Sequence, residues 1–130
     1  MSPNAIVRAD GVFEIGLGGL LVVGAAGGWL DGGDFPTPVG KTVLVVVGVA
    51  LIAVGSLLWR LAGGAVPIQL LRSLALGNTV TAAAAIVWRL AAEGFSDTGS
   101  AIVLVTAGAL LALAAGQLSA IPRAGRAPRP

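Results

Sequence analysis

The stretch TGSAIVLVTAGALLALAAGQLSAIP, residues 98–122, runs for 25 residues without a charge. A helix rises about 1.5 Å per residue, and about 20 mostly apolar residues cross a hydrocarbon core ~30 Å thick, so this stretch spans a bilayer comfortably. Three more uncharged runs precede it, at 15–30, 42–59 and 73–88. The run at 42–59 has 18 residues, with Lys41 at its edge placed to snorkel to the headgroups. The other two have 16 each and must borrow flanking residues, which draws Glu14 and Arg72 towards the hydrocarbon edge. The spacing predicts helices over residues 9–30, 39–60, 68–91 and 99–121.

Composition points the same way. Of 130 residues, 56% are hydrophobic and 11% charged, with 20 glycines and neither cysteine nor histidine, and the mean hydropathy is +0.95. Soluble domains carry about 25% charged residues, so this chain cannot cover a water-facing surface of its size. Disorder needs the opposite balance of low hydrophobicity and high charge. Without cysteine and histidine there are no disulfides, no thiol chemistry, no ordinary zinc site and no histidine-ligated haem. No segment alternates apolar and polar residues as a barrel strand must. A cleaved leader over residues 1–27 is disfavoured, because Asp10 and Glu14 stand where its basic region belongs. Gly16, Gly18 and Gly19 imitate a dinucleotide fingerprint but lie inside a span, with no preceding strand. With no P-loop, catalytic triad, carboxylate dyad or metal cluster, neither enzymatic activity nor a cofactor is expected.

The loops are short and rich in turn formers: 31–38 and 62–67 hold glycine and proline, and in 93–98 Ser96 or Asp97 can cap the following helix. Short connections make neighbouring helices antiparallel. The expectation is therefore an all-α polytopic membrane protein: one antiparallel four-transmembrane-helix bundle over 1–121, followed by a basic, proline-rich, disordered tail at 122–130. Arg8, Arg60, Arg72, Arg123, Arg126 and Arg129 fall on one side; Lys41 and Arg89 fall on the other, with Asp31, Asp34, Glu93 and Asp97. The positive-inside rule then sets both termini in the cytoplasm. The basic balance reads as topology and not as nucleic-acid binding. Arg123, Arg126 and Arg129 are the residues expected to meet anionic lipid headgroups.

The halves resemble each other. Trp29, Phe35, Gly40, Gly48 and Gly55 recur as Trp88, Phe95, Gly99, Gly108 and Gly116 at offsets of 59 to 61 residues. A real repeat would give two αα-hairpins related by an axis along the membrane normal; compositional bias produces the same likeness. Helices in lipid associate through small residues and hydrogen bonds. The expected packing ridges are Gly24 with Gly28, Gly77 with Thr81 and Ala85, and Gly108 with Ala112, Gly116 and Ala120. Trp29, Trp59 and Trp88 fall at span ends, as interfacial anchors do.

Each span brings one polar group to the same side: Glu14, Ser56, Arg72 and Gln117. An ionisable group at that depth is costly, so it faces a partner or a watery path. A Glu14–Arg72 ion pair or hydrogen bond is expected. The alternatives are separate snorkelling, or a Glu14 that carries protons during transport; an Arg72 partner argues for structure over that last role. Asn78 lies deeper, where an asparagine hydrogen-bonds across helices or lines a solute path. Thr81 and Thr106 can satisfy themselves on their own helices.

With the repeat and Arg72…Gly77-Asn78…Trp88 in view, the chain resembles the small four-helix membrane proteins of actinobacterial type. In length and layout it is similar to DoxX-like proteins, whose first helix starts after an arginine and enters a glycine-bearing span. That resemblance implies a bacterial inner-membrane setting and transfers no functional residue. Two functions are compatible: a structural or accessory protein that stabilises a membrane complex or self-associates through the fourth-helix ridge, and a small dimeric transporter or channel using Glu14, Arg72, Asn78 and Gln117. A transporter should gather its polar groups on a cavity near Asn78, whereas an accessory protein should be sealed.

Overall fold

The structure is a computed structural model that describes residues 1–36 and 39–126. Four helices account for most of it: α1 (Pro3–Gly27), α2 (Lys41–Leu61), α3 (Ile68–Ala91) and α4 (Asp97–Ala124), with one 3-10 turn at Gly32–Asp34. There is no strand among the described residues. Helices α2, α3 and α4 are each long and apolar enough to cross a membrane. The remaining helix, α1, has 25 residues and carries Arg8, Asp10 and Glu14.

Helix ends depart from expectation for local reasons. α1 starts at Pro3 because Ser2 caps it, its Oγ accepting from Ala5 N at 3.2 Å. The proline has no N–H to lose in a first turn. At the other end Gly28 adopts φ 80°, a left-handed cap, and the Gly24 carbonyl accepts from Leu30 N at 2.9 Å. Leu30 thereby folds back over Gly24, where an added Cβ would stand 2.6 Å from Leu30 Cδ1. Gly24 is thus a seat for the loop and Gly28 a cap, and neither forms the expected ridge between helices. α4 continues through Pro122 to Ala124, so the first part of the expected disordered tail is helical. Its last turn is held by Ile121 and Ala124, packed on the cluster of Ile6, Val7, Leu58, Leu71 and Ala120. Arg129 lies outside the described residues.

Packing runs from α2 to α1, from α1 to α4 and from α4 to α3; α2 and α3 share no extended interface. The contacts below make each packed pair antiparallel. The α1–α2 seam is made by glycines one heptad apart. A Cβ on Gly11 would lie 2.8 Å from the Gly55 carbonyl oxygen, and one on Gly55 would lie 2.5 Å from that of Gly11. Gly18 and Gly48 meet in the same reciprocal way, with Gly48's added Cβ 2.6 Å from the Gly18 oxygen. Only backbones without side chains approach this closely, which is how helices associate where no hydrophobic force drives them.

The ridges on α3 and α4 are not where small residues suggested. Gly77 and Gly108 face open space, and Ala112 is exposed. Gly116 does pack, against Ile6 of α1. The inward stripe of α4 is Gly99, Val103, Ala107, Leu110, Ala114, Gln117 and Ala120, and that of α3 is Leu71, Ala75, Asn78 and Ala82. Gly77 and Gly108 stand one residue off these stripes, about 100° round the helix. Alanines on α3 leave room for Leu110 and Gln117, so α4 packs there without using Gly108. The aligned glycines Gly48 and Gly108 therefore occupy unlike surroundings.

The ends of the fold are tied by polar contacts. Asn4 Nδ2 donates to the carbonyls of Ala62 and Gly64, at 2.9 and 2.7 Å, fixing the start of α1 to the α2–α3 loop. At the opposite end Ser96 Oγ donates to Asp34 Oδ1 at 2.6 Å and also caps α4, accepting from Gly99 N at 3.0 Å.

Candidate functional site

Three buried polar side chains meet between α1, α3 and α4. Asp10 is 1% exposed, Gln117 0% and Asn78 7%. Asp10 Oδ2 accepts from Gln117 Nε2 at 2.7 Å and from Asn78 Nδ2 at 3.2 Å, and Asn78 Nδ2 also donates to Gln117 Oε1 at 3.3 Å. The triad joins α1, α3 and α4, the three helices whose inward stripes converge there. Asp10 Oδ1, by contrast, is buried without a partner. One helical turn further along α1, Glu14 Oε2 is buried without a partner as well. An acceptor left unpaired in an interior costs about 1–3 kcal/mol.

A cavity of about 400 Å³ extends from this point towards the loops that hold Phe35 and Phe95. All four helices line it: Phe13, Glu14 and Leu17 from α1, Val43, Val47 and Leu51 from α2, Asn78, Thr81 and Trp88 from α3, Thr106 and Leu110 from α4. It exists because α2 and α3 do not pack on each other, leaving their facing sides as its lateral walls. At its loop end Phe35 and Trp88 line it as a near-parallel pair, 6.3 Å between centroids and 10° between planes. Phe95 stands edge-on to Trp88 at 4.8 Å, with the Arg89 guanidinium 5.4 Å over its ring. Arg89 Nε is itself buried without a hydrogen-bond acceptor.

The expected polar layer is thus partly assembled. Gln117 and Asn78 are joined, and Glu14 borders the same space. Arg72 is exposed and makes no pair with Glu14, which corrects that expectation. Leu71 and Ala75 occupy the inward stripe of α3, and the next residue after Leu71 necessarily points away. Ser56 also stays out, its Oγ donating to the Ile52 carbonyl of its own helix at 2.7 Å. Among the tryptophans, Trp29 is 59% exposed and Trp59 lies under the Arg8 guanidinium at 5.6 Å, both at helix ends. Trp88 belongs instead to the cavity wall. Thr81 and Thr106, expected to satisfy themselves on their own helices, line the cavity too.

Asp10 is the residue that sequence reasoning missed. With α1 expected from residue 9, Asp10 fell in a frayed first turn; with α1 starting at Pro3, it lies two turns inside. The signal was its spacing, four residues before Glu14 and so on the same face.

Comparison of the chain with protein-family models, with curated proteins and with solved structures returns no match. The functional reading therefore stands on the geometry.

Proposed function

We propose that the chain is a bacterial inner-membrane protein in which α1 joins the other three helices as a span, both termini are cytoplasmic, and the central cavity binds a small solute for transport or conduction. The observation that carries this reading is the cavity itself, walled by all four helices and ending on Glu14 and Asn78 beside the Asp10–Gln117–Asn78 triad. Intramembrane ionisable groups that face a cavity mark solute and ion pathways. Arg72, exposed on α3, is outside the pathway, whereas Arg123 in the last turn of α4 and Arg126 just past it are exposed and available to anionic headgroups.

Reconstitution into liposomes tests the reading. Flux of a transported solute should fall about tenfold or more in Glu14→Gln and clearly in Asn78→Ala, the scale of losing a charge-assisted contact. Unchanged flux in both variants, for every solute tried, would defeat it. A structural or accessory role is the second reading, favoured by the outward Gly108 and Ala112 of α4, which the monomer leaves unused. Such small-residue faces let a second helix approach closely. Recovery of homo-oligomers alone after purification in mild detergent counts against a heterologous complex.

A further inference from the structure

We propose that the cavity takes a lipophilic monocation, an ammonium carried on an aromatic or branched apolar body, with Glu14 as its counter-charge and Asp10 behind it. This rests on the solute-binding reading above and specifies the solute's chemistry. Charge balance is the first argument. Glu14 is the one ionisable side chain in the lining, Asp10 stands one turn behind it on α1, and among the described residues no basic side chain lines the cavity. Asn78 and Gln117 satisfy one oxygen of Asp10 and add no charge. A carboxyl group set in an apolar lining either holds a proton or pairs with a cation, and a cationic solute that displaces the proton gains the ion pair.

The walls then say what kind of cation. Beyond Glu14 the lining is Phe13, Leu17, Leu21, Val47 and Leu51, with no cluster of oxygen ligands. A hard metal ion demands six or more oxygens, and among the described residues no three His, Cys, Asp or Glu side chains gather to offer them. An organic ammonium needs no such shell and gains from burying its apolar body. Phe35 and Trp88 at the far end supply ring faces against which the apolar body packs. The volume, about 400 Å³, lies in the range of small-ligand pockets. The loops at that end hold Asp31, Asp34, Glu93 and Asp97 against Lys41 and Arg89, an excess of acid that draws cations to the entrance. A lipid acyl chain is the competing occupant: it fits the walls and gives Glu14 no counter-charge.

The probe pair is phenyltrimethylammonium and tert-butylbenzene, which share a shape and differ in charge. Their binding to the full chain in nanodiscs is measured by titration calorimetry, alongside Glu14→Gln and Thr81→Trp, the latter filling the cavity from an exposed position. The expected result is saturable binding of the cation, weakened about tenfold or more by Glu14→Gln, abolished by Thr81→Trp, and about tenfold or more weaker for the neutral isostere. Equal affinity for the two probes, or no effect of Glu14→Gln in monodisperse protein, overturns the proposal; if Thr81→Trp then removes both ligands, the cavity reading survives alone. If neither probe binds and native mass spectrometry finds a phospholipid that Thr81→Trp expels, a lipid is the occupant and both readings fall. Should Glu14→Gln fail to fold, the comparison of probes on the unaltered chain decides.

Discussion

Asp10 accepts two carboxamide donors through one oxygen and leaves the other bare, and this asymmetry sets what each neighbour is worth. Gln117→Leu removes the shorter of the two bonds and strips Asn78 of an acceptor at the same time. It should cost about 1–3 kcal/mol, read as a lower midpoint of thermal unfolding in detergent. Ser56→Ala breaks only a bond within its own helix and should stay within about 0.5 kcal/mol of the parent. Equal losses in the two variants would mean that the triad is not a structural joint. Asn78 and Gln117 were readable as interior residues because they interrupt apolar runs with no other partner in reach. Asp10 was not, because a carboxylate near a helix start is ordinarily solvated, and only the position of the Ser2 cap shows how far inside it lies. Arg72 failed in the opposite direction: depth along the helix was read correctly, but the face was not.

Between elements, the glycines divide into two groups by what surrounds them. Gly11, Gly18, Gly48 and Gly55 bring the α1 and α2 backbones together, and any side chain there must push the helices apart. Gly18→Leu or Gly48→Leu should therefore destabilise by about 1–3 kcal/mol or more, as overpacking does. Gly77→Ala and Gly108→Ala, facing open space, should be neutral or stabilising by up to about 1 kcal/mol, from helix propensity alone. Measuring all four in the same detergent separates the groups; similar losses throughout would refute the seam. The existence and order of the helices were legible, since charges punctuate the chain where spans end. The packing faces were not. In a sequence this rich in glycine, four-residue spacings occur on every side of a helix, and only the stripe shared with a partner selects among them.

For the molecule as a whole, the proposed orientation puts the Asn4-clamped end in the cytoplasm and the Asp34–Ser96 end outside. The chain has no cysteine, so single cysteines report their side directly. In intact cells a membrane-impermeant maleimide should label Thr98→Cys, and it should reach Gly64→Cys only after permeabilisation; the reverse pattern would invert the topology. Both sites are exposed, so labelling reads access and not burial. Composition carried the membrane-spanning helices, and arginine asymmetry is what the proposed orientation rests on. The cavity was beyond the sequence, because it arises from an interface that fails to form between α2 and α3. The α1–α2 seam, finally, predicts a pattern of inheritance. Backbone contact at two points leaves natural variation no residue but glycine at positions 11, 18, 48 and 55, while 16, 19, 77 and 108 are free to drift. An alignment of related chains should therefore show four fixed glycines among many variable ones, spaced as the contacts are and not as the composition is.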